Sequence, residues 1–241
     1  MSNENAVTEG YYFPTTIYKV DAAQYLPAVR EVAMESIDKA KEHKKGINHI
    51  YPVNMSMNFY ADPRIADFTD YIKQMCWDIL DAQGYRMDLF ETGFSEMWLQ
   101  EHFKHSSMEQ HVHGFGAQIV GFYFLDAPQY GSNLVVHDPR PGKVQINLPE
   151  KDMREVSYGS NQVVFNPEPG MLVFTNAWLP HSFTRHGAND PIRFVHFNVN
   201  LQRNKNQQKT CQHNPPKAEV IWWISTRSVL ISPEVSLTVA P

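Results

Sequence analysis

Histidines recur in this sequence at a spacing that suits a metal site. His111 and His113 flank a single valine, His181 follows in a later segment, and Arg193 comes after it. If the first pair lies on a β-strand, residues i and i+2 point to the same side, and a third imidazole can arrive from a distant strand. A guanidinium nearby suits a carboxylate ligand, because it binds carboxylates through two parallel hydrogen bonds and stays charged.

Other chemistries lack their sequence signals. Neither a GxGxxG dinucleotide loop, nor a GxxxxGK[ST] phosphate loop, nor a GxSxG elbow occurs. The two cysteines, Cys76 and Cys211, form neither a disulfide framework nor a CxxC zinc pattern. The HxH pair itself is shared with cupins and zinc hydrolases, and imidazole suits Fe(II), Zn, Cu and Ni. The pair alone therefore predicts a metal site without naming the metal.

Charge and hydropathy predict a cytoplasmic protein. The net charge of −5 and the pI of about 6.1 give no indication of nucleic-acid partners. The first ten residues lack the basic and apolar regions of a signal peptide. No apolar run approaches the roughly 18 residues that a membrane span needs, so we expect no membrane partner.

The first third of the chain predicts one strand and two helices. Residues 11–20 are β-branched and aromatic and contain Pro14, which is typical of an edge strand. Asp21 is a candidate N-cap for a helix that extends to about Lys41. A second helix is predicted from Asp62 to Gly84, with a proline in its first turn.

After the second helix the segments become short and β-rich. We predict strands at 92–104, 110–113, 117–125, 133–138, 161–166, 171–175, 181–186 and 192–200. Many short strands after two helices favour a mainly β fold, a two-sheeted barrel with the N-terminal helices packed on one sheet. Substrate contacts are expected on the loops at 43–60, 126–132 and 139–160.

The two ends of the chain differ in composition from the predicted barrel region between them. Residues 1–10 are polar and predicted to be a flexible N-terminus, and residues 11–200 form the predicted barrel domain. Residues 201–241 are predicted to be a polar loop followed by an apolar C-terminal extension. That apolar segment could add an edge strand or contribute the contact of a homodimer.

The ordered motifs of the barrel region resemble those of a known superfamily. They are HVH at 111–113, GFYFL at 121–125, LVVHDPRP at 134–141, PGMLVF at 169–174, WLPHSFTRH at 178–186 and IRFVHFNV at 192–199. The set resembles the Fe(II)/2-oxoglutarate-dependent dioxygenases, in particular the 2OG-Fe(II) oxygenases of bacteria and marine phages. The resemblance covers most of residues 11–200 and implies a double-stranded β-helix, the jelly-roll fold.

The resemblance also implies roles for individual residues. His111 and His181 match the two histidine ligands of iron, and His113 stands where the family usually has a carboxylate. His113 is therefore the expected third ligand, with Glu109 and Asp138 as alternatives. Arg193 matches the residue that binds the far carboxylate of 2-oxoglutarate. Its expected hydroxyl partners in that role are Tyr123 and Thr184.

The implied activity is the oxidation of an unidentified organic substrate by O2, with 2-oxoglutarate converted to succinate and CO2 and the substrate hydroxylated. Two alternatives remain open at this point. One is a cosubstrate-independent, cupin-like dioxygenase with three histidine ligands, in which Arg193 binds a carboxylate of the substrate. The other is a jelly-roll binding or structural module without catalysis. Trp178 and Phe183 bracket His181 and could shape a pocket, exclude water or simply pack the barrel.

Overall fold

The computed structural model describes residues 10, 12–43, 46, 50–146 and 148–204 of the 241-residue chain. Its α-helices are α1 (Leu26–Glu42), α2 (Ala66–Ala82) and the short α3 (Pro141–Ile146). Single 3-10 turns lie at Ala23–Tyr25, Pro63–Ile65 and Met87–Leu89. None of these helices combines the length and apolar character that crossing a membrane requires, within the part of the chain described.

Ten strands make up the rest of the regular structure among the described residues. They are β1 (Ile17–Asp21), β2 (Val53–Met55), β3 (Phe90–His102), β4 (Met108–His111), β5 (Ala117–Asp126), β6 (Leu134–His137), β7 (Gln162–Phe165), β8 (Met171–Asn176), β9 (His181–Phe183) and β10 (Ile192–Arg203). All strand pairs are antiparallel.

The strands form two sheets that face each other. The large sheet has the order β1-β8-β5-β10-β3-β2, and the small sheet has the order β4-β9-β6-β7. An apolar core lies between them, with Phe122 and Phe194 from the large sheet and Leu134 and Phe183 from the small one. The predicted double-stranded β-helix is confirmed.

A second core lies on the other face of the large sheet, where α1 and α2 pack. Side chains from both helices, such as Ile37 and Ile72, meet alternate residues of the sheet, such as Leu99 and Phe197. The central strands of the large sheet are therefore buried on both faces, which explains their nearly continuous apolar sequences. In the central stretches of β3, β5 and β10, even-numbered residues face the small sheet and odd-numbered residues face the helices, whereas bulges change this parity near the strand ends.

Both helices begin one short turn later than predicted. The Asp21 carboxylate accepts a hydrogen bond from the Ala23 N–H, and Asp62 accepts one from the Arg64 N–H. Asp62 thus caps a 3-10 turn rather than α2 itself, and Asp21 lies one residue before the cap position of the other 3-10 turn. The predicted strand at residues 11–20 is shorter, and it pairs at the sheet edge with β8.

Some elements were not predicted. Strand β2 pairs with β3 inside the expected loop 43–60, and α3 lies inside the expected loop 139–160. The predicted flexible segment 1–10 has only its last residue described, and the predicted extension 201–241 is described to residue 204, so the apolar C-terminal segment and Cys211 lie outside the described residues.

Gly121 supports the contact between β5 and β10, and its replacement should be costly. A Cβ added at this position would overlap the Phe197 ring, whereas one added at Gly114 would meet nothing. We expect Gly121→Ala to destabilise the fold by about 1–3 kcal/mol, the usual cost of overpacking. Urea unfolding checks this, with Gly114→Ala as the control that should change stability little. Equal stability of the two variants would contradict the close packing at this strand.

Candidate metal centre

Three histidines converge at the end of the space between the sheets. His111 is the last residue of β4 and lies directly opposite His181, the first residue of β9. His113 follows two residues after His111, held by a 2.9 Å hydrogen bond from its backbone N–H to the Ala177 carbonyl. One ligand atom from each ring lies within 4.8 Å of the others. The structure thus brings together the three residues that the sequence predicts.

Hydrogen bonds orient two of these rings. Nδ1 of His111 lies 2.8 Å from the Glu109 carbonyl, and Nδ1 of His181 lies 3.0 Å from the Leu179 carbonyl. Since a carbonyl only accepts, both rings carry a proton on Nδ1, and in the neutral form of each ring Nε2 is the bare nitrogen. Such a partner on the far nitrogen is what metal-binding histidines have in general.

The buried Nε2 of His181 is the clearest sign that the cluster suits a metal ion. It has no hydrogen-bond partner among the described residues, although the side chain is fully buried. A buried acceptor without a partner costs about 1–3 kcal/mol. A divalent cation bound by the three imidazoles would satisfy it, and the donor set fits iron, zinc, copper or nickel.

Two of the three imidazoles, those of His113 and His181, are neutral at ordinary pH. The pKa of His181 is lowered to about 3, chiefly by burial and in smaller part by His111 and His113. Burial, together with His111, lowers the pKa of His113 to about 4. Neutral rings keep a lone pair for a metal, so His113 and His181 can bind a cation at pH 7 without first losing a proton.

Neither alternative carboxylate joins the cluster. Glu109 contributes only its backbone carbonyl, and its side chain is exposed. Asp138 is paired instead with Arg140 at 2.7 Å and Lys143 at 3.4 Å. Of the described residues that could hold a metal, only the three histidines form a group. The third member of this group is therefore His113 and not a carboxylate.

Arg193 does not lie where the sequence pattern predicts. Its guanidinium is on the helix side of β10, 2.8 Å from the Glu101 carboxylate and 3.0 Å from the Asp126 carboxylate. Arg30 of α1 binds the same Asp126. The inward position three residues along the strand belongs to His196. The structure therefore does not bring Arg193 to the three histidines, because side chains alternate across the sheet.

Tyr123 and Thr184 are also placed elsewhere. Tyr123 points into the helix-side core, where its hydroxyl donates to the Ala22 carbonyl at 2.9 Å and its ring packs on Phe68. Thr184 is exposed, and its hydroxyl accepts a 2.9 Å hydrogen bond from the Asn133 N–H. The structure does not bring either hydroxyl to the three histidines.

An open cavity of about 470 Å³ reaches His111 and His113. Its other lining residues are Ser95, Glu96, Trp98, Val112, Gly114, Phe115 and Asn198. No arginine or lysine of the described chain is among them. On the barrel side of the cluster, Phe183 stacks on Phe194 with ring centroids 4.5 Å apart. Phe183 thus packs the barrel, whereas Trp178 is half-exposed.

Sequence reasoning missed one residue at the cluster. His196 is buried, and its Nε2 lies 3.3 Å from Nε2 of His113. The alternation of side chains along β10 puts His196 on the same face as the interior residue Phe194 and on the opposite face from Arg193. The sequence does not show which of these faces is the barrel interior, since both faces of the strand are apolar.

Comparison with known proteins agrees with this geometry. Residues 96–198 match the sequence family described as "Putative 2OG-Fe(II) oxygenase". The description names both 2-oxoglutarate and Fe(II), the cosubstrate and metal that the sequence pattern implies. No curated protein matches the chain.

Two solved structures share the fold. A prolyl-4-hydroxylase from Pseudomonas putida aligns with a TM-score of 0.52 at 12% identity, covering 79% of this chain and 94% of its own. AviO1 from Streptomyces viridochromogenes Tue57 aligns with a TM-score of 0.53 at 12% identity, covering 77% of this chain and 90% of its own. At this identity the likeness concerns the fold alone. Residues 96–198, which carry the whole histidine cluster, therefore match the 2OG-Fe(II) oxygenase family, and they do so within a double-stranded β-helix.

Proposed function

We propose that this chain is an iron(II)-dependent oxygenase that uses O2 and 2-oxoglutarate to hydroxylate an organic substrate. His111, His113 and His181 would hold the metal. The observation that carries the proposal is the convergence of these three imidazoles in a region that matches an oxygenase family. When bound, the iron would supply the activation of O2, which no side chain can perform by itself.

The chain's own residues would orient and protect that chemistry. The carbonyls of Glu109 and Leu179 hold two imidazoles in the orientation that presents Nε2. The stacked rings of Phe183 and Phe194 keep water out of the barrel behind the cluster. The substrate would approach through the open cavity, where Trp98 offers an apolar surface.

The cavity also favours a second candidate function. A 2-oxoglutarate molecule bound at the histidines needs a partner for its far carboxylate, and Arg193 is committed to Glu101 and Asp126 on the other face of the sheet. Among the described residues that line the cavity, no other cation replaces it. This observation supports a cosubstrate-independent dioxygenase with three histidine ligands, which would oxidise its substrate with O2 alone.

One titration separates the two candidates. Fe(II) is added to the full chain without oxygen, with 2-oxoglutarate or with succinate, which lacks the keto acid, and visible absorbance is recorded. The proposed function predicts a charge-transfer band with 2-oxoglutarate only, and succinate formation after O2 is admitted. Iron binding without the band would support the cosubstrate-independent enzyme. Absence of iron binding would rule out both functions.

A further inference from the structure

His196 is a fourth histidine in contact with the cluster, and none of the roles above involves it. It lies on β10 with 2% of its surface exposed. Its ring stacks on Phe122 at a centroid distance of 4.6 Å and meets the edge of Trp98 at 4.6 Å. The ring is therefore held in one plane by packing on two sides.

A backbone carbonyl decides where the proton of His196 lies. Nδ1 of the ring is 2.9 Å from the Gly121 carbonyl oxygen. Since a carbonyl can only accept, Nδ1 must carry the proton. The ring is buried among aromatic side chains and other imidazoles, so its neutral form is favoured. Its Nε2 is therefore a bare acceptor.

This acceptor faces His113. The two Nε2 atoms are 3.3 Å apart, and a hydrogen bond between them requires a proton on one of the two nitrogens and not on the other. His196 cannot provide it, so Nε2 of His113 is the donor. The unprotonated nitrogen of His113 is then Nδ1. His111 and His181 have the opposite arrangement, with Nδ1 protonated and Nε2 bare.

We propose that His196 is a positioning residue of the metal centre, which makes His113 bind the metal through Nδ1 while His111 and His181 bind through Nε2. The inference rests on the proposed metal site. Metal-binding histidines usually donate their other N–H to an acceptor that fixes the ring and raises its basicity. Here that acceptor is a second imidazole, which is itself fixed by the Gly121 carbonyl.

Nuclear magnetic resonance can read each ring nitrogen directly. The full chain, with its histidines labelled with ¹⁵N, is loaded with Zn(II) as a diamagnetic probe, and long-range ¹H–¹⁵N correlations are assigned. We expect metal-bound signals from Nδ1 of His113 and from Nε2 of His111 and His181, with Nε2 of His196 bare. Zinc on Nε2 of His113, or on His196 itself, would overturn the inference and leave the metal site intact. No metal-bound nitrogen at all would overturn the metal site as well.

Variants test the role of His196 by a second route. His196→Gln keeps an acceptor oxygen for His113, whereas His196→Leu removes it. We expect the leucine variant to bind Zn(II) about 10–100-fold more weakly than the glutamine variant, the usual effect of removing such a partner. His102→Leu is the matched control, because His102 is equally buried but hydrogen-bonds Gln100. Equal zinc affinity in the leucine and glutamine variants would show that His196 only packs the barrel.

Discussion

Replacing His181 with alanine is expected to weaken Fe(II) binding by more than about 100-fold, because loss of a direct ligand should exceed the effect of losing a supporting partner. His181 is the most deeply buried of the three histidines, and its Nε2 has no partner among the described residues. The measurement is anaerobic Fe(II) binding to the purified full chain. The charge-transfer band with 2-oxoglutarate should disappear together with the iron.

His102→Ala is the control for this variant. Both histidines are fully buried in the space between the sheets, and both substitutions remove the same volume. The two variants should therefore lose similar stability from the cavity that they create, about 2–5 kcal/mol by the cost of other large-to-small changes in cores. Only His181→Ala should lose iron. If both variants bind iron equally, the cluster is not the metal site.

Replacing Arg193 with methionine should destabilise the fold and leave 2-oxoglutarate binding unchanged. The guanidinium neutralises Glu101, whose side chain is 1% exposed. Removing one partner of a buried pair costs about 3–5 kcal/mol, and we expect about 2 kcal/mol here because Lys41 still binds Glu101 at 2.9 Å. Arg154→Met is the control, since Arg154 is 89% exposed and its pair with Asp152 should contribute little.

The pH dependence of this variant has a defined sign. Burial raises the pKa of Glu101, but hydrogen bonds from Asn54, Lys41 and Arg193 outweigh it and hold the pKa below its ordinary value of 4.5. Such a group contributes stability above its ordinary pKa, and that contribution is lost as the pH falls through the folded-state pKa. The stability difference between wild type and Arg193→Met should therefore shrink below about pH 4.5.

Urea unfolding at neutral and acidic pH measures that difference in stability. The anaerobic Fe(II) titration with 2-oxoglutarate measures whether the variant still binds the cosubstrate. The resemblance to the oxygenase family implies the reverse outcome, in which Arg193→Met stays folded but loses the 2-oxoglutarate band. That result would place Arg193 at the histidines and contradict the strand parity described above.

The histidine cluster could be predicted from the sequence, whereas the position of Arg193 could not. His111 and His113 have the i, i+2 spacing that points two side chains to one side, and this spacing needs no knowledge of the fold. Arg193 lies in a strand where Phe194, Val195 and Phe197 are all apolar. Because one face of β10 packs on the helices and the other on the small sheet, hydrophobicity does not reveal which face is the barrel interior.

The same ambiguity explains Tyr123, which lies in an apolar run with buried residues on both sides. The general architecture was easier to predict, because turn residues separate the strands and two amphipathic helices precede them. Strand β2 escaped prediction because it has three residues and depends on pairing with β3. Pairing between distant segments is a tertiary effect that local sequence does not record.

Gly121 contacts both the helix-side core and the histidine cluster, and this limits the substitutions that the neighbouring residues can tolerate. On the helix side, the space that its Cβ would take is filled by Phe197. Its carbonyl oxygen accepts a hydrogen bond from Nδ1 of His196, a residue of the barrel side. A repacking of the helix layer that displaced this strand by a few tenths of an ångström would therefore also disturb the hydrogen-bond chain that ends at His113. Substitutions in the helix-side core are thus restricted by the hydrogen bonds of the histidine cluster, through a glycine that has no side chain of its own.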